Sequence, residues 1–138
     1  MSATPEQRVA LLAAATDARE RAYAPYSRFP VGAAVLTRSG AIYSGCNVES
    51  ASYPLVCCAE RVAIYKAVSD GHLEIVCVVV ITETSPPAAP CGGCRQVIHE
   101  FGANAQVVCF NPAGDSRESS MATLLPLGFG GADLPPTR

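Results

Sequence analysis

The sequence predicts a three-layer α/β/α domain around a mixed sheet of about five strands. Three observations carry this reading. Apolar stripes at helical spacing alternate with short apolar runs after an initial hairpin signal, the order expected of helices packed on a sheet. The run Ile75-Val76-Cys77-Val78-Val79-Val80-Ile81 is continuous and β-branched, which suits a central strand covered on both faces. The 138 residues are 49% apolar and 16% charged, enough to bury a core and too apolar for a disordered chain. At roughly 100–200 residues per domain the whole span, 1–138, is expected to be one domain.

The elements follow in order. Thr4 suits an N-cap, Pro5 a first helical position, and Gln7 completes a capping box. Val9, Leu12, Ala13, Thr16 and Ala18 then carry a helix to about Ala22, ended by the neighbourhood of Pro25. Val31 to Thr37 and Ala41 to Asn47 read as strands around Arg38-Ser39-Gly40. Tyr53-Pro54 interrupts the chain. From Cys58 to about Ser69 runs a helix apolar on most sides, expected to be buried in part by another subunit, and Asp70-Gly71 ends it. Glu74 to Thr82 holds the central strand, followed by the Pro-rich loop Pro86 to Pro90. A helix from Cys91 to Phe101 places Cys94, Val97, Ile98 and Phe101 on one face. Gln106 to Phe110 is a strand, Asn111 to Asp115 a turn, and a short edge strand is expected after it. Ser120 caps a short helix ending near Pro126, and the tail at Pro135-Pro136 is expected to fray.

Charge and hydropathy exclude several partners. Ten basic against twelve acidic residues leave a net charge of −2, with no strong pull on nucleic acid or anionic lipid. The longest apolar runs, Val9 to Ala15 and Ile75 to Ile81, have seven residues each, too short to span a bilayer. The opening MSATPEQ lacks a basic and apolar leader, so the expected compartment is the cytoplasm. There the seven cysteines, an odd number, do not form a disulfide framework.

Two cysteine groups stand at predicted helix starts: Cys58-Ala59-Glu60 and Pro90-Cys91-Gly92-Gly93-Cys94. Cys91 and Cys94 are three residues apart, hence on one helix face, and a helix N-terminus favours the thiolate. Brought together, three thiolates suit zinc and leave its fourth position for water. Cys57 would have to reach the ion across one peptide unit, so an apolar role is favoured for it. Glu60, two residues past a ligand, can take a proton from zinc-acidified water. Three thiolates also overcompensate the ion's charge, and the Arg61 guanidinium bonded to sulfur would draw that excess off.

Each residue also has an ordinary reading. Glu60 alone would be a solvated carboxylate in a first turn. A redox Cys-x-x-Cys pair would leave Cys58-x-Glu60 unexplained. Arg61 could be a surface ion pair, Phe29 core packing, and Asn47 with Glu49 a polar strand end. Arg95 could be a subunit contact or a helix-surface arginine, and His72 and His99 are expected to be exposed.

The chain resembles the short, homotetrameric cytidine deaminases. The resemblance rests on Tyr26-Ser27-Arg28-Phe29-Pro30-Val31-Gly32-Ala33-Ala34, on Gly45-Cys46-Asn47-Val48-Glu49-Ser50-Ala51-Ser52-Tyr53-Pro54, on Cys58-Ala59-Glu60-Arg61 to Ala63, and on Pro90-Cys91-Gly92-Gly93-Cys94-Arg95-Gln96. Leu124-Leu125-Pro126 to Phe129-Gly130 is similar to that family's tail. The Cys-x-Glu and Pro-Cys-x-x-Cys pair marks the wider zinc deaminase superfamily, and Asn47-Val48-Glu49 narrows it to a nucleoside pocket.

The resemblance implies a cytidine deaminase-like fold and one zinc per subunit on Cys58, Cys91 and Cys94. It implies Glu60 as the proton shuttle in converting cytidine and deoxycytidine to uridine and deoxyuridine plus ammonia, a step of pyrimidine salvage. Phe29 would stack on the base, Asn47 and Glu49 would hold the ribose 3′-hydroxyl, and main-chain groups at Ala59 would meet the pyrimidine edge. Tyr53 and Phe129 would close a neighbouring subunit's pocket in a homotetramer. Cys57 stands where such enzymes more often have an aliphatic residue, and Ala89 where they often have Ser or Pro. The loop Thr84 to Ala89 is somewhat long. Cys46, Cys77 and Cys109 fall in predicted strands, where a thiol packs as a small apolar group. Three other functions share parts of this pattern. A deaminase acting on cytosine within RNA or DNA would need a basic groove, which the net charge argues against. A deaminase of a cytosine-containing antibiotic would need a different sugar pocket. A zinc-stabilised binding module would not need Glu60.

Overall fold

The computed structural model describes residues 1–136. Four helices, α1 (Pro5–Arg19), α2 (Ala59–Ser69), α3 (Gly92–Phe101) and α4 (Met121–Leu124), accompany five strands. The strands are β1 (Gly32–Thr37), β2 (Ile42–Cys46), β3 (Ile75–Ile81), β4 (Gln106–Phe110) and β5 (Ser116–Ser120). They form one sheet in the order β2-β1-β3-β4-β5, with β3 and β4 parallel and the other pairs antiparallel. α3 makes the crossover that the parallel pair requires.

Alternation along the central strands divides the core into two layers. Ala34 and Leu36 of β1, Cys77, Val79 and Ile81 of β3 and Val108 of β4 pack with Leu11 and Ala15 of α1. Ala33, Val35, Val78, Val80, Val107 and Cys109 pack on the opposite face with Ala63, Ile64 and Ala67 of α2 and Ile98 of α3. This is the expected α/β/α arrangement. Strict alternation would send Ile75 to the α1 face with Cys77, yet it packs with the α2 and α3 layer. The register shift between Leu36 and Thr37, whose partners are Cys77 and Ile75, explains this, because a bulge advances the pleat by one residue.

Two glycines set how closely helices lie on the sheet. A Cβ on Gly32 would stand 2.0 Å from the Ala15 carbonyl oxygen, and one on Gly45 would stand 2.6 Å from the Ala63 nitrogen and 2.8 Å from the Ala59 oxygen. The backbones of α1 and α2 therefore rest directly on β1 and β2.

The capping box at the start of α1 forms in both directions: the Gln7 N–H donates to Thr4 Oγ1 (3.1 Å) and the Thr4 N–H to Gln7 Oε1 (2.9 Å). α1 stops at Arg19, short of the expected Ala22. The following segment is recruited by tertiary pairing: the Tyr23 N–H donates to the Asn47 carbonyl, and the Glu49 N–H to the Tyr23 carbonyl. α2 and α3 each begin one residue later than expected, because Cys58 and Cys91 are extended N-caps. α2 buries one face on the sheet and leaves Tyr65 exposed. His72 and His99 are half-buried, against expectation. His72 meets Ser39 Oγ at 3.2 Å and lies against the Tyr43 ring, while His99 packs beneath Gly128 and Gly130. Among the described residues no helix is long and apolar enough to cross a membrane.

Candidate active site

The N-termini of α2 and α3 meet at the carboxyl end of β3, the edge of an α/β sheet where ligands bind. Cys58 and Cys91 occupy the two N-caps, and neither side chain caps its own helix, which leaves both sulfurs free to meet each other. With Cys94 in the first turn of α3, the three sulfurs lie within 4.8 Å of one another, and Cys58 and Cys91 are 3.8 Å apart. A tetrahedral zinc with bonds of about 2.3 Å holds its sulfur ligands about 3.8 Å apart. The thiol set therefore fits the ion in both chemistry and size. Cys57 lies outside this group. Its main chain pairs with Val48, and burial pushes its thiol up.

The surroundings favour the thiolate at Cys58. Cys58 is held down to about 5, first by the bond from the Cys94 thiol and then by Arg61 and the Cys91 thiol. Cys94 is pushed up, first by its bond to Cys58 and then by burial. Arg61 Nη2 donates to Cys58 Sγ at 3.3 Å and to the Val56 carbonyl at 3.4 Å, while its Nε is buried without a partner.

Glu60 follows in the first turn of α2 and is only 4% exposed. Burial pushes it up to about 7, with its own backbone N–H opposing and the Cys58 charge adding to the rise. A carboxyl with a value near neutral can both accept and return a proton.

Beside it opens a cavity of about 270 Å³. Cys58, Ala59, Glu60 and Cys91 line it together with Phe29, Asn47 and Glu49. An outer groove of about 330 Å³ continues past Tyr26 and Tyr53 and shares Ser27, Glu49 and Val56 with the cavity. Phe29 is aimed by Arg28, whose φ of +56° is left-handed and uncommon for a residue with a side chain. Asn47 clamps the same segment: its Oδ1 accepts the Val31 N–H (2.9 Å), and its Nδ2 donates to the Phe29 carbonyl (2.8 Å). Glu49 Oε1 accepts the N–H groups of Tyr26 (3.0 Å) and Ser27 (3.1 Å), and Oε2 accepts the Ser27 hydroxyl. The Ser27 hydroxyl, followed by its N–H, holds the Glu49 carboxyl below the usual range.

Of the expected site residues, Phe29, Asn47, Glu49, Cys58, Ala59, Glu60, Arg61, Cys91 and Cys94 come together here. Tyr53 stands on the rim of its own chain's groove, 68% exposed and edge-on to Tyr26. Phe129 lies outside both cavities, 57% exposed, its carbonyl accepting a bond from Gln96 Nε2 at 2.7 Å. Two residues were not foreseen in the roles they hold. Ser27 links Glu49 to the Phe29 segment, and no local pattern announces it. Arg95 donates from Nε to the Pro90 carbonyl (2.8 Å) and from Nη1 to the Leu124 carbonyl (3.0 Å), pinning the loop ahead of Cys91. Its place one helical turn after Cys91 was the available signal.

The profile described as "Cytidine and deoxycytidylate deaminase zinc-binding region" matches residues 5–110. The cytidine deaminase of Sporosarcina psychrophila is 49% identical over 125 residues, covering 90% of this chain and 92% of its own. That of Halalkalibacterium halodurans is 46% identical over 125 residues, covering 90% and 95%. The crystal structure of cytidine deaminase from Burkholderia pseudomallei superposes with a TM-score of 0.85 at 48% identity, over 92% of this chain and all of that one. With a zinc-sized trio of thiols at two helix N-termini and a buried carboxyl beside them, the chain belongs to the cytidine and deoxycytidylate deaminase family.

Proposed function

We propose that the protein hydrolyses cytidine and deoxycytidine to uridine and deoxyuridine with release of ammonia, a step of pyrimidine salvage. One observation carries this reading: a 4% exposed carboxyl, Glu60, stands beside a three-thiol cluster in a cavity that Phe29 and Glu49 also line.

Cys58, Cys91 and Cys94 would hold one zinc ion, and Arg61 would offset their charge. Bound there, zinc would supply an acidified water as nucleophile. Glu60 would accept one proton of the attacking water and deliver it to N3 of the pyrimidine. It would then carry the water's other proton to the amino group, so that the C4–N bond breaks as C4 keeps the water's oxygen, and ammonia leaves. Burial suits Glu60 to both steps, since its value near 7 lets it exchange a proton in either direction at neutral pH. Phe29 stacks on the base, and Ala59 main-chain groups meet its edge. Glu49 and Asn47 receive the 3′-hydroxyl, as an ionised carboxylate and an amide oxygen can.

Large apolar side chains left exposed, among them Tyr53, Leu55 and Phe129, support assembly into a homotetramer in which Tyr53 and Phe129 complete a neighbour's pocket. Seven unpaired cysteines support a reducing, cytoplasmic setting. The test is direct: zinc-loaded protein mixed with cytidine should release uridine and ammonia in equal amounts. A folded, zinc-loaded sample without turnover overturns the reading.

A further inference from the structure

Ser27 takes no part in the chemistry above, yet its side chain joins the two residues expected to hold base and sugar. From this junction we propose that Ser27 is a positioning residue, which aims the free acceptor of Glu49 at the sugar 3′-hydroxyl and so sets how strongly that hydroxyl is recognised. The proposal rests on the nucleoside reading of the pocket.

The argument is one of donors and acceptors. An ionised carboxylate offers about two acceptor directions on each oxygen. Oε1 of Glu49 already receives two N–H groups, from Tyr26 at 3.0 Å and Ser27 at 3.1 Å. Oε2 receives only the Ser27 hydroxyl, so the acceptor left for a ligand lies on Oε2, and the hydroxyl bond fixes its direction. Ser27 has no other choice of partner. Its hydroxyl carries one proton, and its oxygen also accepts the Phe29 N–H at 3.0 Å. The proton must therefore go to Glu49. Asn47 keeps one acceptor direction on Oδ1, but its amide is oriented by the main chain of Val31 and Phe29, so the aim of Glu49 does not depend on it. Glu49 otherwise stands on the open side of the pocket, where nothing but this turn holds it. Because Ser27 is itself exposed, removing its hydroxyl leaves the core untouched.

The test compares two substrates, cytidine and 3′-deoxycytidine, on the zinc-loaded parent and on Ser27→Ala and Ser27→Thr, with zinc content and thermal unfolding as checks on integrity. Ser27→Ala should lower kcat/KM for cytidine about tenfold, chiefly through KM, as expected for losing a bond to a charged group. For 3′-deoxycytidine, which lacks the hydroxyl being recognised, the same substitution should change kcat/KM by less than about twofold. Ser27→Thr should recover most of the loss. Equal losses on both substrates, or no loss on cytidine, overturn the proposal. A parent protein inactive on cytidine overturns instead the reading beneath it, and this is recognised without any variant.

Discussion

The two faces of the sheet use the same strands and the same close helix packing, yet only one carries chemistry. On the α1 face, Leu11 and Ala15 seal Ala34, Leu36, Val79 and Ile81 in an apolar layer. On the other, α2 and α3 pack as tightly but bring Glu60 and three thiols to the layer's edge. The difference lies at the helix starts. α1 satisfies its free N–H groups with its own Thr4 and Gln7. α2 and α3 have cysteines at the N-cap whose side chains leave those groups alone. An uncapped N-terminus keeps its positive end available to anionic sulfur, so the device that would stabilise a helix is given up where the site is built.

The largest effect expected from this contrast is at Glu60. Glu60→Gln keeps the shape and the neighbouring thiols but removes the carboxyl proposed to carry the proton. kcat for cytidine should fall about 10³-fold while zinc content stays unchanged. A loss smaller than tenfold would show that the buried carboxyl is not the shuttle.

Paired substitutions on the two faces come next. Leu11→Ala, on the sealed face, should lower stability by about 3 kcal/mol through the cavity it leaves, while the folded fraction retains its kcat. Gly45→Ala, on the other face, meets the α2 backbone at 2.6 Å and must displace the helix that carries Cys58 and Glu60. It should cost about 1–3 kcal/mol and lower zinc content and kcat together. If Leu11→Ala depresses kcat as strongly as Gly45→Ala, the division between the faces fails.

Buried thiols give an alkaline test that spans both layers. Burial pushes Cys77, under α1, and Cys109, under α3, up to about 11 each. The unfolded chain loses these protons near pH 9, whereas the folded one keeps them until about 11. The stability they contribute is thus complete below pH 9 and is lost as pH rises toward 11. Each thiol should account for about 2 kcal/mol of that loss. Chemical unfolding followed from pH 8 to 11 should show the decline, and Cys77→Ala should flatten its share. An unchanged slope in that variant assigns the decline to other groups.

Much of this architecture was legible because the signals are local. The capping box, the hairpin, the central strand and the Cys-x-Glu and Pro-Cys-x-x-Cys groups each sit within a few residues of sequence. The β3 bulge was invisible for a physical reason: every position from Ile75 to Ile81 is apolar, so slipping the pleat by one residue leaves the pattern unchanged. The early end of α1, the Asn47 clamp and the Ser27–Glu49 link depend on partners some twenty residues away. Periodicity carries no such information. For Phe29, Asn47 and Glu49 the family resemblance drew attention to residues that line one cavity, but it did not reveal that the Asn47 amide is bonded to the main chain of Val31 and Phe29.

The smallest expected effect lies at the outer margin of the sealed face, where Arg8 of α1 makes a two-pronged ion pair with Glu118 of the edge strand β5, at 2.9 and 3.0 Å. The geometry is good, but the side chains are 32% and 47% exposed, so water and salt screen much of the attraction. The Arg8 bond holds the Glu118 carboxyl below its ordinary value, and a depressed carboxyl stabilises the fold above its unfolded pKa. That contribution is lost as pH falls through the lowered value. A double-mutant cycle of Arg8→Ala and Glu118→Gln should give a coupling below about 1 kcal/mol at pH 7, smaller still in 1 M salt and absent in strong acid. A coupling that survives high salt undiminished would mean that the margin of the α1 face is drier than its exposure indicates, and that this face is held by charge as well as by apolar packing.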